Sequence, residues 1–219
     1  MMQHDSAVAG VGGILFPVLW FLAAFVPNAP GGTYDASTVA DFVAKDHRTS
    51  VFIALFLGLL SVLGLLLLLV GLRERVAGGD SFLASVFSTT SLVSVTAFAI
   101  GWVTIFAVPV AIAYGGSNEV VIDPKLTYVL AQAGWVIMFG VGGTFLGRTL
   151  IALMLGSRQA LPAWLRWFTL IAGVLGLASM AWIPHFALLL WSLVAGVWLI
   201  AAGRAEEPGA QPQPSIVSS

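Results

Sequence analysis

The 219-residue chain contains no cysteine. That absence excludes disulfides, thiolate nucleophiles and thiolate-held metal ions, and leaves the redox character of the compartment unread. Charge is almost as scarce: Asp, Glu, Lys and Arg make up 9% of the residues with a formal net charge of −1, against about 25% charged residues in an ordinary soluble domain. Lys and Arg form no block, which argues against a nucleic-acid surface and against a polybasic lipid-binding patch. The opening MMQHDSAVAGVGG lacks the basic region of a secretory leader, and the apolar run behind it continues to Val26 without a small-residue cleavage site. It reads as a retained first span.

What remains is apolar: 59% of the residues are hydrophobic and the mean hydropathy is +0.99. A transmembrane helix needs about 20 such residues in a row. Six segments qualify, 8–26, 50–72, 82–110, 128–155, 165–183 and 185–203. The expected fold is therefore all-α, a polytopic membrane bundle of six transmembrane helices forming one domain over 1–204. The tail 205–219, rich in Pro and Gln, has too little apolar surface to order itself and is expected to be disordered. Six spans put both termini on one side. With the termini in the cytoplasm, Arg73, Arg75, Arg148, Arg158, Arg166 and Arg204 lie inside, and Lys45, Arg48 and Lys125 outside. That is the arrangement the positive-inside rule favours, in a cell membrane with both termini cytoplasmic. Trp164 and Trp167 flank Arg166 at the inner boundary and Trp182 ends the same span at the outer one, as interfacial rings do. The third segment is long for one crossing, and Pro109 predicts a bend there.

The densest polar stretch is YDASTVADFVAKDHRTS, Tyr34 to Ser50. Asp35 or Ser37 can cap a helix, and Val39, Phe42 and Val43 fall on one face of it. Asp41 and Lys45 are spaced for an ion pair. This predicts a short interfacial helix between the first and second spans. Its charged end, Asp46, His47 and Arg48, reads first as a marker of the water boundary, and the alternative is a site made by Asp41, Asp46 and His47. Imidazole with carboxylates is also a workable ligand set for a metal or an acid–base site, and His185 in the tight WIPHF turn falls on the same predicted side. No recognised ligand spacing joins these four residues.

Two further features lie inside the spans. GVGG occurs at Gly10–Gly13 and again at Gly140–Gly143, and predicts that the first and fourth spans approach backbone to backbone; Gly143 and Gly147 form a GxxxG that serves similar close packing. Arg148 follows within the fourth span. A buried arginine must snorkel or find a partner, and Glu74 and Asp80 are the nearest acids in the predicted topology. Ser88, Ser91 and Ser94 of the third span are expected either to bond back to their own helix or to form with Arg148 a pocket for a phosphate or carboxylate.

The glycine-rich first span ending LFPVLWFLAAFVP, the DHR before a Leu-rich second span, and its ending GLRERV resemble a broad family of uncharacterised six-helix integral membrane proteins common in actinobacteria, chiefly over residues 1–75. The resemblance implies the six-helix fold and no activity. The residues favour a non-catalytic membrane protein over an enzyme: an accessory subunit or a binder of lipid or another apolar ligand. Its partners would be the bilayer and either further copies or another membrane subunit, with no cofactor and no nucleic acid. A small transporter or channel for a neutral or anionic solute is the second reading, and a membrane enzyme with a polar site at the outer interface the third.

Overall fold

Peptide groups that water cannot reach must bond within their own segment, and a helix does this with no outside partner. The computed structural model describes residues 2–44, 48–77, 81–115, 123–157 and 160–205, and all regular structure among these described residues is helical. The helices are α1 (Met2–Phe25), α2 (Ala36–Phe42), α3 (Arg48–Ala77), α4 (Ser81–Gly115), α5 (Pro124–Val136), α6 (Thr144–Gly156), α7 (Ala163–Leu177) and α8 (His185–Ala205). A π-helix, Ile137–Gly143, joins α5 to α6 without a break, and a 3₁₀ turn, Ser179–Ala181, follows α7. Lys45, Asp46, His47, Asp80, Glu119, Arg158 and the tail beyond Ala205 lie outside the described residues, as does the side chain of Glu74.

Among the described residues five stretches are long and apolar enough to cross a membrane: Ser6–Phe25, Arg48–Arg73, Ser81–Tyr114, Pro124–Gly156 and His185–Gly203. The predicted segment 165–183 holds a shorter apolar helix, the 15-residue α7, because the chain turns over Ser179–Trp182 before Pro184. α4 runs through Pro109 as one helix of 35 residues. The buried side is made of large side chains, with Trp20, Trp102, Trp191, Phe16, Phe87, Phe98 and Phe106 among those fully enclosed. Phe56, Phe82, Leu92 and Ile183 remain exposed, as lipid-facing residues would.

In the bundle α1 lies between α3 and α8, α4 packs against α3, α5 and α6, and α7 bridges α6 and α8. The first GVGG does not meet the second. A Cβ on Gly13 would come within 2.8 Å of the Gly196 backbone in α8, and one on Gly12 within 2.5 Å of the Gly64 carbonyl in α3. The second GVGG lies in the π-helix, where Gly142 faces the Phe98 ring and Gly143 faces Ser179 and His185. The expected backbone contact between the first and fourth spans is thus replaced by side-chain contact through Trp20. The repeat reports small residues, and small residues serve any close neighbour. Of the GxxxG pair, Gly147 packs backbone to backbone, but against Gly173 and Gly176 of α7 and not against the first span.

Gly196→Leu should force α1 and α8 apart and lower stability by about 1–3 kcal/mol, the usual cost of overpacking. Gly203→Leu, whose Cβ has only an ordinary 3.7 Å contact with Ser6, should leave the unfolding midpoint in detergent nearly unchanged. Equal losses in the two variants would show that helix contact is not the limiting constraint.

Candidate functional site

Where α1 approaches its C-terminus, α4 passes its midpoint, α5 gives way to the π-helix and α8 begins, aromatic residues from separate helices form one layer. At its centre is His185, fully buried. Its ring lies 4.5 Å from Phe139, 5.4 Å from Trp20 and 5.7 Å from Phe98, centroid to centroid. Trp20 also contacts Trp102 at 6.0 Å and Trp135 at 6.2 Å, and its Nε1 donates to the Met138 sulfur at 3.2 Å. Trp135 stacks on Phe139 at 5.4 Å, and Trp182 meets Phe139 at 4.6 Å.

Two irregular backbone segments build this layer. A π-helix widens the turn and loosens its carbonyls from the regular α pattern, and such segments recur at functional sites. Here the Gly142 carbonyl accepts from Ser94 Oγ at 2.8 Å, and the Phe139 carbonyl accepts a short hydrogen bond from Ser179 Oγ. The second segment is the turn before α8. Trp182 has φ 70° and ψ −66°, with Ile183 N donating to the Ala181 carbonyl at 2.8 Å. That is a γ-turn of the strained hand, and a non-glycine residue held there costs of order 1–3 kcal/mol. Packing of the Trp182 ring on Phe139 and Trp135 holds it in place.

His185 is the one ionisable side chain in the buried set of described residues, and neither Nδ1 nor Nε2 has a hydrogen-bond partner. Trp102 Nε1 in the same layer is also buried without one. A buried polar group left in this state costs about 1–3 kcal/mol. Buried polar atoms are nearly always paired, so three unpaired nitrogens in one ring cluster set this layer apart from the rest of the core.

The connection from α1 to α3 folds over this layer as a strap. Pro30 O accepts from Trp135 Nε1 at 3.0 Å, and Gly32 O accepts a short bond from Tyr128 OH. Tyr34 meets Tyr128 edge-on at 5.3 Å, and Phe42 of α2 rests on Phe106 at 5.8 Å. Gly32 sits at φ +72°, a turn that favours glycine. Asp35 caps α2: its carboxylate accepts from Ser37 N at 2.9 Å, from Ser37 Oγ and from Thr38 Oγ1. The Ser37 hydroxyl and backbone N–H, with Thr38, hold the Asp35 carboxyl below its ordinary range.

The described residues among those singled out by sequence are dispersed. Of Asp41, Asp46, His47 and His185, only Asp41 and His185 are described, the first exposed on α2 and the second enclosed by rings. No group of three or more metal-ligating side chains is found among the described residues. Arg148 and the serines do not line a common pocket. Arg148 is exposed, with its guanidinium carbon 4.9 Å from the Phe145 ring centroid. Ser88 Oγ bonds back to the Ala84 carbonyl at 2.9 Å, Ser94 serves the π-helix, and Ser91 Oγ is buried without a partner. Helical rotation divides them: the helix carrying Arg148 turns its neighbour Thr149 inward, to Thr90 at 2.8 Å.

Sequence reasoning placed His185 in a water-facing turn and missed the enclosure. The clue available was the company it keeps, with Trp182 and Phe186 beside it and tryptophans at positions 20, 102 and 135. No protein-family model, no curated protein and no solved structure matches the chain.

His185→Phe should be at least as stable as the wild type, by up to about 3 kcal/mol, because it removes unpaired nitrogens and keeps a ring. A loss above about 1 kcal/mol in reversible unfolding would mean that the imidazole makes a stabilising polar contact. For the strap the sign follows from Asp35. Its folded-state carboxyl is depressed, so the cap is present above the ordinary value of 3.8 and is lost as pH falls through the lower folded value. Acid-active protease should cut near residues 26–44 faster at pH 2–3 than at pH 5, and Asp35→Ala should remove that difference.

Proposed function

We propose that the chain is an integral membrane protein of six spans, with α7 as the short fifth and both termini cytoplasmic, and that it binds an amphipathic ligand in the aromatic layer around His185. On this reading it is an accessory or carrier protein, and α2 with its strap lies at the outer interface. The observation that carries the reading is the imidazole with two unpaired nitrogens inside a ring cluster. The ligand chemistry follows from the lining. Trp20, Phe98, Phe139 and Trp135 suit a flat or chain-like apolar body, while His185 and the Trp102 indole N–H suit one or two hydrogen-bonding atoms upon it. Entry requires the strap to lift, and its seat on α5 through Trp135 and Tyr128 consists of few bonds. Orientation is supported by the excess of arginines on the loops assigned inside, and the likeness of residues 1–75 to six-helix membrane proteins agrees with the span count.

Native mass spectrometry of the mildly extracted protein tests the ligand. The wild type should retain an organic adduct distinct from bulk phospholipid, and His185→Phe should lose it while remaining folded. Retention of the same adduct by His185→Phe, or a wild-type chain carrying phospholipid alone, would sink the reading. Topology is tested on the cysteine-free background: Asp46→Cys should react with an impermeant maleimide from outside intact cells, and Glu74→Cys should not. The reverse pattern would invert the orientation without touching the site.

A further inference from the structure

Arg148 belongs to the apolar stretch Pro124–Gly156, and three observations fix how it points. Gly147 is pressed against the backbone of Gly173 and Gly176 in α7. Thr149 on the other side is fully buried and bonded to Thr90 of α4. The helix cannot rotate without breaking one of these contacts, so the residue between them projects outward, in line with the exposed Val141 and Leu155. Third, the guanidinium lies over the ring of Phe145, one turn toward the helix N-terminus, the direction in which helical side chains lean. That is away from the nearer helix end. Arg148 is about 12 Å from Gly156 along the axis, and Phe145 is about 16 Å from it, within an apolar stretch of 33 residues. The charge is directed toward the middle of the apolar stretch, away from its nearer end.

We infer that the stripe Val141, Arg148 and Leu155 is an intramembrane contact surface for a transmembrane helix of another protein, one that brings an Asp or Glu to the depth of Phe145. An arginine at that depth is costly unless paired, and no described residue forms an ion pair with it. A guanidinium forms its strongest pairing with a carboxylate, through two parallel hydrogen bonds. A second copy of this chain does not supply one, because none of its five long apolar spans nor α7 contains an acidic residue. The alternative ligand, an acidic lipid headgroup, sits at the bilayer surface toward which the side chain does not lean. This inference does not rest on the His185 reading, and either stands without the other.

The test uses Leu155→Cys as the only thiol in the full-length protein, reconstituted in phosphatidylcholine vesicles with leucine-rich transmembrane peptides. Each peptide carries one cysteine and, at mid-span, Asp, Leu or Lys. Disulfide crosslinking to the Asp peptide should exceed that to the Leu peptide at least tenfold, and should fall to the Leu level in Arg148→Leu. Arg148→Asp should reverse the preference toward the Lys peptide. Arg148 faces outward, so these variants should keep the wild-type unfolding midpoint; should they not fold, the comparison of Asp and Leu peptides on the Arg148 background decides alone. Equal crosslinking of the Asp and Leu peptides overturns the inference. So does loss of the Asp preference on adding phosphatidylglycerol together with Arg148-dependent retention of that lipid in native mass spectra, which would assign the arginine to a headgroup.

Discussion

The carbonyls of the π-helix are the constraint on which the central architecture depends. A regular α-helix satisfies its own backbone, whereas two carbonyls of this seven-residue π-helical segment also accept from outside it. Two hydroxyls from elsewhere reach the Gly142 and Phe139 carbonyls, Ser94 from α4 and Ser179 from the turn after α7. Those bonds tie the α5–α6 span to α4 on one side and to the α7–α8 turn on the other. They also set Phe139, and with it the ring against which His185 packs.

Two kinds of contact then divide the molecule. At Gly12 with Gly64, Gly13 with Gly196 and Gly147 with Gly173, helices meet backbone to backbone. There the gain is dispersion over a close surface, which is the main attraction between helices in lipid. In the His185 layer the helices are held apart by large rings, and polar atoms are left without partners. The strained turn at Trp182 lies in that second region. Strain, irregular backbone and an unpaired imidazole coincide at this one place, and the proposed ligand site rests on that coincidence.

Much of the scaffold was legible from the chain alone. Runs such as Val51–Val70 read as apolar helices, the cap of α2 was readable as Asp35 or Ser37 and is Asp35, and Val39 and Phe42 fall on its buried side as their spacing requires. The site was not legible. Trp20, Phe98, Phe139 and His185 come from four different elements, and periodicity within one helix carries no information about which face meets which. A π-helix has no composition of its own: IMFGVGG reads as ordinary apolar helix. The polar side chains misled for a related reason. Ser94 and Arg148 lie in the same pair of packed spans, yet one turns inward to the backbone and the other outward.

The sequence by itself determined a helical chain of long apolar segments with most of its charges between them, because local hydropathy and helix hydrogen bonding are properties of a segment. Only the tertiary structure decided that GVGG meets α3 and α8 at one copy and a π-helix at the other, that His185 is enclosed, and that Arg148 faces away from the bundle. Each of those depends on the rotation of one helix about its axis relative to its neighbours. That angle is set by packing among residues far apart in the chain.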